Sequence, residues 1–546
     1  MTLQKTFNNE PQSSPSYKWR VLATVVFGFF MILIDTTVIN VAFQVLRQEF
    51  GGSINESQWI ISVYVMSMGI CMPLAGFLAD RFGSKKIYLT GLGLFALGSL
   101  LCGFSSSLPM LILFRILQGA GAGIAMPLGI SLLLQAFPVE EQGMALGIYG
   151  IVALVAPALG PLLGGWLVGI NLWRVIFFIN PPIGLIGILL GMRFLKEHLN
   201  RHKPELDIPG LITEIIGFGA ILYAASIAAD IGWTAPLTLT FFGIGAAGLI
   251  AFVLVELFIA KSPLLDIRLF GNRIFLNASL LGYVSTLALF GAEFLLPVYL
   301  QSLRGRSPLE TGVILLPMAI TSGILVIFSG RIYDRIGPRP LIVLGFAILM
   351  VNTWQLSQLK ADTSIGWIIF LLSLRGIALG MTVQTTMVTA LSVVSPRDLP
   401  RGSSLSNATR QVMQSLGVAI LATVLASTLS AEVKVYQSEL NQAKLASGEV
   451  AQSTGICQDT QADAKPAVNG NKLASLDTPP GDIRQRACDE NVLGFEKSYL
   501  VTFYASTVAL MLGLFLPGWP KKWRGRKSPV AKMKISNRDK GKEEEF

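Results

Sequence analysis

Gly76-Phe77-Leu78-Ala79-Asp80-Arg81-Phe82-Gly83-Ser84-Lys85-Lys86 is a short, charged, glycine-bearing turn between two apolar segments, residues 58–79 and 87–105. Each segment is long enough to cross a bilayer, which takes about 20 apolar residues of helix. Irregular backbone exposed to hydrocarbon leaves N–H and C=O groups unpaired, so the turn has to lie at a membrane surface. Its basic residues Arg81, Lys85 and Lys86 place that surface on the cytoplasmic side. A weaker copy begins at Gly330, in Gly330-Arg331-Ile332-Tyr333-Asp334-Arg335-Ile336-Gly337-Pro338-Arg339. Gly, Asp-Arg and Gly recur there at the same offsets, the mark of an internal duplication.

Composition agrees. The 546 residues are 52% hydrophobic and 14% charged, with a mean hydropathy of +0.59, too apolar for a soluble globular chain. A net charge of +10 would point a soluble protein toward nucleic acid. Here the bases cluster beside helix ends and in the tail Lys521-Lys522-Trp523-Arg524-Gly525-Arg526-Lys527, where inside retention and anionic lipid explain them. Nucleic acid is not expected as a partner. No phosphate-cradling Gly-x4-Gly-Lys-Ser/Thr loop occurs, against an ATP-driven pump. With two histidines in all, His198 and His202 in a linker, no metal site, cofactor or enzyme chemistry is expected.

Apolar runs predict spans at residues 19–43, 58–79, 87–105, 109–134, 143–167, 173–195, 208–229 and 236–260. Further runs follow at 274–300, 311–332, 340–358, 365–391, 403–429 and 498–519. An even count puts both termini on one side, and the basic turns make that side cytoplasmic. The expected organisation is a cytoplasmic tail 1–18, a six-helix bundle 19–195, a linker with two inserted helices 196–273, a second six-helix bundle 274–519 and a basic cytoplasmic tail 520–546. Residues 430–497 form a long external loop inside the second bundle. Cys457 and Cys488 share that loop, where a disulfide can persist; spacing leaves the bond itself open.

The two turns closely resemble the signature turn between helices 2 and 3 of the major facilitator superfamily. The arrangement of six, two and six helices resembles its fourteen-spanner EmrB/QacA-like branch of proton-coupled drug antiporters. The resemblance covers nearly the whole chain except the tails and the outer loop, and it implies an all-α membrane protein of about fourteen helices. In such turns Asp80 and Arg81, with Gly76 and Gly83, imply a cytoplasmic latch, and Asp334 with Arg335 its second copy. Ile34-Asp35-Thr36-Thr37-Val38-Ile39-Asn40-Val41-Ala42 resembles the family's helix-1 motif. Leu113-Phe114-Arg115-Ile116-Leu117-Gln118-Gly119-Ala120-Gly121 resembles its helix-4 motif. On helix 5, Pro157, Gly160, Pro161, Gly164 and Gly165 stand in Pro-x-x-Gly-Pro-x-x-Gly-Gly, resembling the antiporter motif that marks exporters. Trp173-Arg174 through Asn180 and Gly184 resembles the segment that follows it.

Ionisable groups inside spans are costly and mark function by default. Asp35 is the first proton-coupling candidate. Arg115 needs a carboxylate or a polar cavity, and Asp35 is its candidate partner; a fixed structural ion pair is the competing role. Glu293, in Leu289-Phe290-Gly291-Ala292-Glu293-Phe294-Leu295-Leu296-Pro297, lies outside the family pattern and is a candidate cation contact or second proton site. Glu214 and Glu256, on the inserted helices, read as structural. Arg375 echoes Arg115 in the second half and reads as packing. Tyr64 is among the aromatic residues that suit a permissive cavity.

The function so implied is export of amphipathic or cationic drugs and toxic small molecules, driven by protons through alternating access. The alternative is a dedicated exporter of an endogenous metabolite such as a siderophore or lipid-like product. The expected setting is the inner (plasma) membrane. The EmrB-like resemblance allows a periplasmic adaptor and outer-membrane channel as partners.

Overall fold

In the computed structural model the described residues are 15–51, 54–138, 141–170, 172–197, 207–260, 264–396, 398–430, 432–437, 456–457 and 480–518. The tails at 1–14 and 519–546, the histidines of the linker and most of the outer loop lie outside them. Among the described residues there is no strand. The first half comprises α1 (Pro15–Phe50), α2 (Ile54–Phe82), α3 (Ser84–Gly103), α4 (Leu108–Ala136), α5 (Gln142–Gly169), the short α6 (Val175–Phe178) and α7 (Asn180–Phe194). Then come α8 (Ile208–Ile231) and α9 (Pro236–Leu254). The second half holds α10 (Arg273–Val298), α11 (Pro308–Ile336), α12 (Pro338–Ser357), α13 (Ile365–Leu391), α14 (Leu399–Ser427) and α15 (Pro480–Gly513).

Local chemistry sets the boundaries. Both signature turns pivot on a glycine in the left-handed region, Gly83 at φ 101° and Gly337 at φ 87°, which a side chain would strain. The carboxylate of Glu197 accepts from the backbone N–H groups of Lys85 and Lys86 at 3.0 and 3.1 Å. It neutralises the free donors and positive end of α3. At the opposite end of α11, Ser307 and Glu310 form a reciprocal capping box that satisfies two orphan donors.

Eleven helical spans among the described residues are long and apolar enough to cross a membrane, with α6 and α7 forming one of them. The three other expected spans fall on α5, α10 and α15. The main pairings of the first half have counterparts in the second: α2–α4 with α11–α13, α3–α4 with α12–α13, α1–α5 with α10–α14, and α3–α7 with α12–α15. The halves meet along two seams that are themselves counterparts, α5–α11 and α2–α14. In the first seam Gly143 and Gly330 come backbone to backbone, with no room for a Cβ on either. The pair α8–α9 packs on itself, and α8 lies against both α2 and α14.

The last helix departs from the expected bounds. Residues 480–497 are the beginning of α15 and not loop. Asp482, Arg484, Arg486, Asp489 and Glu490 depress hydropathy there, so an apolar-run reading starts only at 498. Tertiary contacts hold the extension instead. Cys488 is disulfide-bonded to Cys457. The N–H groups of Ile456 and Cys457 donate to the carbonyls of Ser302 and Leu303 at 2.9 and 3.0 Å, and Arg484 Nε donates to the Ile456 carbonyl at 3.0 Å. Val433, Ile456, Ala487 and Cys488 form a small buried cluster beneath. Closing a loop across a sequence separation of 31 stabilises by about 3–4 kcal/mol in the chain-entropy account. Cys488→Ser should therefore lower the thermal unfolding midpoint. Reductant should lower the wild-type midpoint equally and leave the variant unmoved, as a thermal melt with and without reductant would read.

Candidate functional site

The proton-coupling candidates Asp35 and Arg115 are brought together. Asp35 stands on α1 and Arg115 on α4, each 1% exposed, with Arg115 Nη1 2.6 Å from Asp35 Oδ2. Arg115 and Gln118 are three residues apart on α4, which puts both on one face. Gln118 Nε2 donates to Asp35 Oδ1 at 2.8 Å, and its Oε1 accepts from Arg115 Nη1 at 2.8 Å. Asn180, at the start of α7, donates to Asp35 Oδ1 at 2.9 Å and to Ser99 Oγ on α3 at 2.9 Å. Arg115 Nε donates to the Ile60 carbonyl on α2 at 3.1 Å. Its guanidinium stacks on Tyr64 with its carbon 4.0 Å from the ring centre, a cation–π contact strengthened by desolvation.

Three donors therefore converge on one carboxylate in a dry site, as a buried charge requires. Of the ion pairs among the described residues, this one alone has both side chains almost wholly buried. It lies about 10 Å along α4 from that helix's first residue, at 1.5 Å per residue, so it sits toward the face opposite the signature turns. Gln118, Asn180 and Tyr64 are the members that a search for charges passes over. Gln118 and Asn180 stand inside the quoted motifs, and only their polarity within apolar runs signals them.

At the signature-turn face the two aspartates reach across the seams. Asp80 on α2 accepts from Arg401 Nε on α14 at 2.6 Å. Gly76, one turn earlier, lies against the α14 backbone, where a Cβ would stand 3.0 Å from Arg401 Cα. In the second half Asp334 accepts from the N–H groups of Gly143 and Met144 at 3.1 and 3.2 Å, at the positive start of α5. In the sequence Arg401 reads only as a base of a cytoplasmic turn, because its partner lies 321 positions away. Arg81 projects near Phe82, its guanidinium carbon 5.6 Å from the ring centre; Arg335 ends α11.

Of the helix-5 motif, Gly160 packs against Thr37 on α1, Gly164 is buried and Gly165 faces open space; the side chains of Pro157 and Pro161 lie outside the described residues. Glu293 falls within α10, and its side chain too lies outside them. Glu214 is buried on α8, and Glu256 accepts from the Leu264 N–H at 2.9 Å. Arg375 donates to the Ala288 carbonyl at 2.6 Å and to Asn352 Oδ1 at 3.3 Å.

The sequence matches the Major Facilitator Superfamily over residues 25–418. The chain belongs to that superfamily. Its fold and relatives are those of transporters and not of enzymes. It is 35% identical over 404 residues to the uncharacterized MFS-type transporter YhcA of Bacillus subtilis, covering 74% of this chain and 76% of that one. It is 30% identical over 417 residues to the lincomycin resistance protein LmrB of Listeria monocytogenes, covering 76% and 88%. Among solved structures, the human organic anion transporter MFSD10 superposes with a TM-score of 0.56 at 13% identity, over 90% of this chain and 99% of that one.

Within this transporter the two halves of the buried pair should respond unequally. Arg115→Ala leaves Asp35 as a buried charge without its counter-ion and should cost about 3–5 kcal/mol. Asp35→Asn keeps a carbonyl acceptor of similar shape and should cost less, which a detergent-phase thermal melt of both variants would rank. Arg401→Gln removes one charged hydrogen bond of about 1.5–3 kcal/mol. It should raise labelling of a cysteine placed beneath the α2–α14 contact by roughly tenfold or more, since 1.4 kcal/mol is a factor of ten.

Proposed function

We propose that this transporter is a proton-coupled exporter of amphipathic or cationic drugs and toxic small molecules, of the EmrB/QacA-like branch. It works by rocking its two halves about a site near the bilayer midplane. The observation that carries the reading is the pairing of buried Asp35 with Arg115 on another helix. A proton on Asp35 Oδ2 takes up the lone pair that accepts from Arg115 Nη1. The guanidinium is then left with Gln118 Oε1 and the Ile60 carbonyl, and the hold of α4 on α1 is reduced to the bond from Gln118 Nε2 to Asp35 Oδ1. Protonation is in this way converted into helix movement, the event that an antiporter needs. Glu293, on α10, is the proposed second proton site.

The signature turns are the proposed latches of the cytoplasmic face, with both termini on that side of an inner membrane. Their contacts, Asp80 with Arg401 and Asp334 with the start of α5, hold both seams together there. The direction of transport rests on the helix-5 motif, whose Gly160 packs two residues from Asp35. A relative named for lincomycin resistance supports drugs as cargo.

The test is dye efflux from energised vesicles under an imposed pH gradient, comparing wild type with Asp35→Asn at equal protein level. Gradient-driven efflux that the variant abolishes is the expected result. Undiminished transport by the variant would move the proton site away from Asp35, and a wild type that moves no dye would remove drugs as the cargo.

A further inference from the structure

Glu214 stands on α8, within two turns of that helix's first residue and about 9 Å along it at 1.5 Å per residue. It is wholly buried, and neither of its carboxylate oxygens has a hydrogen-bond partner. Asp35, by contrast, gives its oxygens to Arg115, Gln118 and Asn180, as a buried carboxylate ion requires. Glu256 occupies the helical turn just beyond α9 and is 2% exposed. Its Oε1 accepts from the N–H groups of Leu264 and Leu265 at 2.9 and 3.4 Å, and its Oε2 has no partner. Neither acid enters an ion pair among the described residues.

Packing brings the two acids to one end of the inserted pair. α8 and α9 run antiparallel, with Ile221 against Gly245 and Gly217 against Gly248. Continued by a turn, that register sets Glu214 beside the end of α9, where Glu256 follows. The charge of Glu256 is felt at Glu214. Also facing the pair are Cys71 of α2, Asp207 at the start of α8 and Arg401 of α14. Of these groups only Arg401 is a cation, and it is already bonded to Asp80 at 2.6 Å. Asp266, with Arg268 beside it, also feels Arg401.

Two carboxyls within reach of one another's charge in a dry site do not both ionise. No group of three or more His, Cys, Asp or Glu side chains that could hold a metal ion occurs among the described residues. A proton needs neither a coordination shell nor a cavity, and it suits a carboxyl whose oxygens are both unmated.

We propose that Glu214 and Glu256 form a proton-binding pair on the inserted helices, and that loss of its proton loosens the contact between α2 and α14. The inference rests on reading Asp80 and Arg401 as a latch. With the proton bound, Glu214 is a neutral side chain where α8 meets α2 and α14, and Arg401 stays with Asp80. When the proton leaves to cytoplasmic water, a second negative charge appears at that junction. Entry of water or a turn of Arg401 away from Asp80 relieves it, and either parts α2 from α14. An acid cytoplasm holds the latch shut and an alkaline one frees it.

The test uses the full chain in nanodiscs, titrated from acid to alkaline pH. Infrared difference spectra read the carbonyl stretch of protonated carboxyl groups, and a spin-label pair on the cytoplasmic ends of α2 and α14 reads their separation. Wild type should show a protonated-carboxyl band that disappears on alkalinisation while the labels move apart. Glu214→Gln should remove that band and keep the separation short throughout. Glu256→Gln, which leaves at most one charge in the pair, should also keep it short, and it decides the matter if Glu214→Gln does not fold. A set of bands unchanged by Glu214→Gln would overturn the proton pair, as would a wild-type separation that ignores pH. Failure of the latch reading would show separately, as an Arg401→Gln variant whose separation at acid pH matches wild type while the Glu214 band persists.

Discussion

A carboxylate in hydrocarbon persists only where donors replace its lost water, and the first half of this transporter is arranged to supply them to Asp35. The desolvation of each ion costs several kcal/mol even after relaxation, so its partners cannot be loosely placed. They come from α4 and α7, and are themselves held by the Ile60 carbonyl of α2 and Ser99 of α3. Close helix approach follows from this need. Gly98 on α3, for example, runs so near α4 that a Cβ would stand 2.7 Å from the Gln118 nitrogen. The backbone is thus brought in at the residue that must touch the acid.

The second half keeps the same skeleton, and among the described residues its buried Arg375 enters no ion pair. Arg375 occupies on α13 the place that Arg115 has on α4, yet it meets a backbone carbonyl and an asparagine. Neutral acceptors satisfy some of its donors without adding an opposite charge.

Much of this was legible in the residues. Spans, the duplicated turns and the inserted pair follow from hydropathy and spacing, because bilayer thickness and backbone pairing leave few alternatives. Asp35 and Arg115 could be nominated because charge is conspicuous in an apolar run. Three features were not legible. Arg401 is an ordinary helix-start base until folding brings α14 to α2. Gln118 and Asn180 are neutral, and their role depends on which face meets Asp35. The first turns of α15 are too polar to register as part of a span, and their helix owes its place to a disulfide and to contacts with Ser302 and Leu303.

The pair α8–α9 breaks the symmetry of the two seams. Ser62 of α2 and Ser226 of α8 share a hydrogen bond at 2.8 Å, and Trp233 beyond α8 donates to Thr423 of α14. One clip holds the first half and the other the second, so the inserted helices bridge the α2–α14 seam like a strap across one side of a book. The α5–α11 seam is held instead by close glycine backbone and by Asp334 accepting from the start of α5. Any movement of one half against the other would meet a bridged seam on one flank and an unbridged seam on the other.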